Sequence, residues 1–418
     1  VITDGDVAVI GGGIVGTVTA LVLQRAGFSV TLLGENEPGA GTAAGSAGYL
    51  HDGEIFPLAH VGLLLHLPQL LLDPLGPLIL RSSYLPHLAR WGTHFLGAMR
   101  RSNVEAAIEA LGSLNRAAIE SFRVVADAAD ADDLLVYNGG LKVIRDARNL
   151  TAVAKELQQL EKVGIQARPL DFDEIHRLAP ELGPEVAGGI LFPLSAHCLD
   201  PAQFGQRIAQ RVRLSSTVIR GRATTLTAQS NESWTVSFVN QQRNERIHVK
   251  TVVVAAGFGS AALLKGLGYK VPLASARGYH LMIADPHVKP ARPMIFHEPH
   301  IAATPMLGGV RLAGTMEFAL PSAPPDYRRA EMLYNIAQRY IPELTNERTT
   351  TWMGVRPLTP DSLPVIGKAR NHSRLYYCFG HGHLGLTQAA VSARIISGLL
   401  SDAVPAFDMH PFDLVRFN

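Results

Sequence analysis

VAVIGGGIVG, residues 7–16, decides the fold. Four apolar residues in a row, Val7 to Ile10, suit a strand buried on both faces, and the turn Gly11-Gly12-Gly13-Ile14-Val15-Gly16 follows at once. Thr17 to Ala26 then reads as a helix closed by Gly27, and Phe28 to Leu33 as a second strand, which completes a βαβ unit. In such a unit Gly11 permits the tight turn, Gly13 lets backbone approach a pyrophosphate, and Gly16 lets helix pack on strand. The helix N-terminus, with Ile14 and Val15, offers positive potential to the anion. A lone GxGxxG is a weak signal, and its place between strand and helix is what makes dinucleotide binding the expectation. One position departs from the pattern. The acid that usually meets the ribose falls on Gly34, so Glu35 takes that role after a one-residue shift, or backbone and water hold the ribose and Glu35 belongs with Glu37 to a solvated loop.

The chain has 418 residues, enough for two domains, and its 47% hydrophobic and 18% charged residues describe a compact globular protein. A net charge of +2, with Lys and Arg scattered, leaves no stripe to hold a phosphate backbone, so nucleic acid is not an expected partner. Only Cys198 and Cys378 are present, without the spacing of a disulfide framework or metal site, which suits a reducing, cytoplasmic setting. The run from Val1 into a strand shows no secretory pattern. Leu58 to Leu80 is strongly apolar, but His60, His66, Pro68, Asp73, Pro74 and Pro77 argue against a bilayer span. It reads as core or a greasy surface hairpin, with shallow peripheral contact at the inner face of the cell membrane as the alternative.

Further along, "GAGTAAGSAG" at 39–48 is all small residues; Thr42, Ser46, Ala47 and Gly48 are expected to lie against a cofactor, unless this is a flexible surface loop. Helical patterns span 104–129, 149–163, 200–213, 326–340 and 386–400, with a short capped helix at 171–178. Strand patterns span 134–144, 218–228, 233–239, 247–256, 276–284, 294–296, 310–315 and 375–379. Parallel-sheet elements at both ends, with mixed material between, imply an α/β fold. A Rossmann-like domain would be built from 1–55, 196–270 and 345–418. Residues 56–195 and 271–344 would form an α+β substrate domain around a mixed, largely antiparallel sheet.

"FGHGHLGLT" at 379–387 raises the question of a metal, because His381 and His383 are one residue apart; no third ligand accompanies them. Taken with the opening fingerprint, the strand Val252 to Gly257, "RGYH" at 277–280, "LAGTMEF" at 312–318, "LDPLGPLILR" at 72–81 and "GVRPLTPDSLPVIG" at 354–367, the loop has another reading. The chain resembles the FAD-dependent D-amino-acid oxidase superfamily, and within it bacterial D-amino-acid dehydrogenases and related amine dehydrogenases. The resemblance implies FAD, held non-covalently since no cysteine sits at a linking position. The closing loop and helix, Gly380, Gly382, Leu384, Gly385, Leu386 and Thr387, would lie beside the flavin, with Ala223 and Gly257 also at the cofactor.

The same resemblance implies roles for side chains. Arg356 would clamp a substrate carboxylate through paired hydrogen bonds, or else be a structural partner of Asp361. Tyr279 would add a hydrogen bond to that carboxylate, the backbone carbonyl near His383 would accept from the substrate amine, and His51 would reach the ring or simply be packed or solvated. Strand alternation puts Arg277 and Tyr279 on one face, with Gly278 and His280 on the other. Glu317 is read either as an ammonium acceptor or as a strand anchor. The implied reaction is hydride transfer from Cα of a D-amino acid to flavin N5, giving an imine that water converts to a 2-oxo acid and ammonia. Electrons would pass to a quinone or another carrier. The alternatives are a secondary-amine or glycine enzyme of the sarcosine, hydroxyproline or opine type, and a flavin-bearing subunit of a larger complex.

Overall fold

The computed structural model describes residues 6–59, 76–230 and 232–417. Val7–Ile10 is fully buried and pairs in parallel with Val30–Gly34 on one side and Thr251–Val254 on the other. Thr217–Arg220 and Leu375–Phe379 extend this parallel arrangement outward, and Val365–Lys368 closes one edge antiparallel, making six strands. Both faces must therefore be covered. On one face the helix Ile14–Arg25 packs against the closing helix Gly385–Leu400 and against Pro201–Ser215, and Ala118–Ala128 also packs on the closing helix. On the other lies a three-stranded antiparallel sheet, Arg222–Ala228, Trp234–Asn240 and Arg243–Val249, whose Trp234, Val236 and Phe238 share a core with Ala8, Ile10 and Val254.

Three expected strands divide. The run 218–228 serves two sheets: Gly221, whose amide donates to the Gly34 carbonyl at 2.8 Å, turns the chain where any Cβ would stand 2.7 Å from Phe238. The run 247–256 breaks at Lys250, leaving Thr251–Val254 beside Val7–Ile10. The run 134–144 becomes Leu135–Val136 and Gly140–Ile144, separated by Gly139 at φ +76°, a left-handed conformation that favours glycine. The expected helix 104–129 is likewise two, Arg101–Arg116 and Ala118–Ala128, meeting at Ala117, whose amide bonds one residue short, to Leu114.

The larger sheet runs Thr349–Leu358, Ala274–Ala284, Gly309–Phe318, Ile301–Met306, Met294–Phe296, Gly140–Ile144, Gly188–Phe192, Arg168–Leu170, with Leu78–Leu80 paired to Gly309–Phe318. It is mostly antiparallel, and its register sets the site: Arg356 lies opposite Ala276 and Gly354 opposite Gly278. No described helix is long and apolar enough to cross a membrane. Most of the apolar stretch 58–80 lies outside the described residues.

Candidate active site

The parallel strands end at one cavity of about 1700 Å³. Gly11 to Val15, Leu33 to Asn36, Ala255 to Gly259 and Phe379 to Leu386, each following a strand end, form one side of it. The glycines of the first turn do different work. Gly11, at φ +132°, would put a Cβ 2.2 Å from the Ala255 carbonyl oxygen, and Gly16 would put one 1.9 Å from the Gly11 carbonyl oxygen. A Cβ on Gly13 meets nothing within 4 Å. The helix starting at Ile14 has no side-chain cap and no acid in its first turn, so its first amides remain available to an anion. Gly34 is explained by the same crowding: a Cβ there would come 2.8 Å from Gly12 N and Cα. An acid at this strand end would displace the loop. Glu35 lines the cavity with Arg222 at 4.0 Å, while Glu37 turns away to Arg213 at 2.6 Å.

Across the cavity the turn Thr42–Gly45 meets the edge of the larger sheet. Thr42 Oγ1 donates to the Val355 carbonyl at 3.0 Å, and Gly45 lies against Trp352, whose ring stacks on His280. His280 bonds the Gly45 carbonyl at 2.8 Å, so it joins the two walls. On the same sheet face, the Arg356 guanidinium extends over Gly278 and donates to the Thr315 carbonyl at 3.0 Å. Desolvation pulls its pKa down to about 10, and no carboxylate among the described residues pairs with it. It is thus a half-buried cation with an open side. Asp361, the alternative partner, belongs instead to Arg416 at 2.7 Å.

Tyr279 lines the cavity, but its hydroxyl points the other way. Its hydroxyl donates to Glu317 at 2.6 Å and accepts from Arg277 at 3.0 Å, on the sheet face opposite Arg356. The structure therefore does not bring that hydroxyl to the guanidinium. Glu317 is likewise committed, to Arg81 at 2.5 Å and Arg277 at 3.1 Å, and anchors its strand. His51 lines the cavity, stacked on Tyr49 and edge-on to Phe192; its Nδ1 is 3.3 Å from Ser195 Oγ, which donates in turn to Asp52. Burial lowers the His51 pKa to about 3, so the ring is neutral.

In the closing loop, Gly380 and Gly382 adopt φ +79° and +54°. His381 turns inward, with Nε2 2.9 Å from Ser392 Oγ, whereas His383 faces the cavity with Nε2 3.9 Å from Glu54. No group of three potential metal ligands occurs among the described residues. Leu384 caps the closing helix, whose first turn again carries no acid; Gly385 and Leu386 line the cavity and Thr387 is buried behind them. Ser46, Ala47, Ala223 and Gly257 also line it, but Gly48 packs against Cys198 and Met306 instead. Glu54, Trp352, Gly278 and the pair Lys142 with Glu156 are cavity residues that sequence reasoning missed. Only the "RGYH" motif, which contains Gly278, and the "GVRP" motif, two residues after Trp352, hint at two of them.

With this geometry in place, comparison with known proteins is decisive. A family model for FAD dependent oxidoreductases matches residues 6–399. The chain belongs to that family. It is 34% identical to a D-amino-acid oxidase of Bradyrhizobium diazoefficiens, over 98% of each chain, and 30% identical to a D-amino acid dehydrogenase of Rhizobium johnstonii, over 99% of this chain and all of that one. The glycine oxidase of Geobacillus kaustophilus has the same fold, with a TM-score of 0.76 over 99% of each chain at 17% identity. FAD is the cofactor of this family member, and the residues fit it. Two uncapped helix N-termini face one long cavity, and Gly13 and Gly257 leave space that a Cβ would fill. The protein is an amino-acid or amine oxidoreductase.

Proposed function

We propose that this oxidoreductase deaminates a D-amino acid: bound FAD would accept the hydride from Cα, and water would convert the resulting imine to a 2-oxo acid and ammonia. Electrons then pass to a quinone or another carrier. The observation that carries the reading is Arg356, a half-buried guanidinium that opens into the cofactor cavity and, among the described residues, bonds a backbone carbonyl and no carboxylate. Such a group is incomplete without an anion, and a substrate carboxylate satisfies it with two parallel bonds.

Bound FAD supplies the hydride acceptor. The protein supplies position and environment. Arg356 fixes the carboxylate and so sets which substrate atoms face the ring. The backbone carbonyl near His383 accepts from the amine, and the neutral imidazoles of His51 and His383 add no competing positive charge beside it. The uncapped N-terminus of the closing helix stabilises negative charge that develops near it. Trp352, Phe56 and Leu358 keep the lining apolar and limit water.

The test is anaerobic mixing of the FAD-loaded protein with D-amino acids, L-amino acids and N-alkyl glycines while the flavin spectrum is followed. Bleaching by D-amino acids supports the reading. Bleaching only by N-alkyl glycines would move it to secondary amines, and stoichiometric hydrogen peroxide in air would replace the carrier with oxygen.

A further inference from the structure

Thr315 stands in a conformation that its residue type resists. It is a β-branched residue inside the strand Gly309–Phe318 with φ +59°, in the left-handed region. The register shows how this arises. Arg277 pairs with Glu317 and Tyr279 with Gly314, so Thr315 and Met316 together oppose the single residue Gly278. Two residues against one is a β-bulge, and the variety whose first residue is left-handed ordinarily has glycine there. A threonine persists at such a position only where its surroundings hold it. Its side chain is not what holds it: Thr315 is 5% exposed and, among the described residues, its hydroxyl has no hydrogen-bond partner.

The peptide that follows is held at both ends. The Thr315 carbonyl accepts from Arg356 Nη1 at 3.0 Å, and the Met316 amide donates to the Pro77 carbonyl at 2.7 Å. A trans peptide points these two groups in opposite directions, so one edge meets the guanidinium and the other meets the residue before the strand Leu78–Leu80. Carbonyls of an unbroken ladder are used on the neighbouring strand, whereas a bulge frees one for a side chain. This bulge also falls on the rung that the guanidinium crosses, since Gly278, the residue it opposes, would put a Cβ 2.2 Å from Arg356 Cζ. Thr315, Gly278, Arg356 and Pro77 all line the cavity.

We propose that Thr315 is a positioning residue for substrate binding: its left-handed conformation presents the carbonyl that holds the Arg356 guanidinium across Gly278, leaving the other N–H groups for a carboxylate. The proposal rests on Arg356 holding the substrate carboxylate, and adds the backbone device that aims it. The donors of a guanidinium form a rigid planar fork, so a bond from one of them to a fixed carbonyl restrains the swing of the rest.

The test uses the FAD-loaded protein and two ligands of one length, hexanoate and hexanamide, measured by calorimetry and by perturbation of the flavin spectrum. The unaltered protein is expected to bind hexanoate about tenfold or more tightly. Thr315→Pro, whose ring fixes φ at about −65°, is expected to bring the ratio to about one. Thr315→Gly, the residue type that suits the bulge, should rescue the ratio to within about threefold of the original. In an Arg356→Leu background neither substitution should move either affinity, a non-additivity that general loosening of the sheet would not produce. A ratio that survives Thr315→Pro would overturn the assignment. So would loss of the ratio in Thr315→Gly, an arm that stands even if the proline variant does not fold. Equal affinities in the unaltered protein would take Arg356 off the carboxylate and Thr315 with it. The expected pattern without oxidation of any D-amino acid would uphold Thr315 and sink the D-amino-acid reading.

Discussion

Arg356 lies across Gly278: a Cβ at 278 would stand 2.2 Å from both Cζ and Nη2 of the guanidinium. The sheet register forces this, because Ala276 faces Arg356 and Gly278 is the next residue on the same side. The clashing atoms are the far end of a flexible side chain, so Gly278→Ala should displace the clamp and spare the sheet. The Michaelis constant for a carboxylate-bearing substrate is expected to rise by about tenfold to a hundredfold, with the melting temperature little changed. An unaltered Michaelis constant in steady-state assays would remove Arg356 from the substrate site.

Asp361→Asn should do the reverse. It weakens the ion pair with Arg416, whose side chains are 19% and 11% exposed and which ties the chain end to the loop after the edge strand. A loss of about 1–3 kcal/mol of stability is expected, with substrate affinity unchanged. Chemical denaturation and substrate titration read the two effects separately.

These two residues stand five positions apart in one motif, and the sequence alone left open whether they pair. The question is settled by which face the edge strand presents, and that depends on its partner strand. Contiguous burial explains why Val7–Ile10 and Leu375–Phe379 were legible: a strand covered on both faces is a plain apolar run with turns at its ends. The runs 218–228 and 247–256 were not divisible in advance, since strand propensity continues across Gly221 and Lys250 while the sheet each half joins is a tertiary choice. Alternation correctly put Arg277 beside Tyr279, but not which side fronts the cavity. Glu54 gave no signal at all, because the stretch around it has neither helical nor strand periodicity.

Acid should destabilise the fold earlier than carboxylate titration would suggest. Burial lowers the pKa values of His51 and His381 from 6.5 to about 3, and those of His197 and His280 to about 4. Below about pH 6.5 the unfolded chain binds protons at these sites that the folded chain refuses, so stability is full above that pH and declines toward about pH 3. The melting temperature of the FAD-loaded protein should fall steadily on acidification through this window. His381→Asn, which keeps a polar partner for Ser392, should make the decline shallower. A flat profile down to about pH 4.5 would contradict the burial of neutral imidazoles.

The first motif offers two glycines whose loss should fail in opposite ways. At Gly16 an added methyl meets the Gly11 carbonyl oxygen at 1.9 Å, backbone against backbone, with no flexible atom to yield. Gly16→Ala should therefore cost about 1–3 kcal/mol or more of stability whether or not cofactor is present. At Gly13 the methyl meets open space inside the cavity. Gly13→Ala should leave the melting temperature of the cofactor-free protein nearly unchanged while lowering the flavin-to-protein absorbance ratio after purification. If Gly13→Ala retained full flavin, the space beside this residue would not be where the pyrophosphate approaches. The anion would then have to be held by the other uncapped helix, beginning at Gly385.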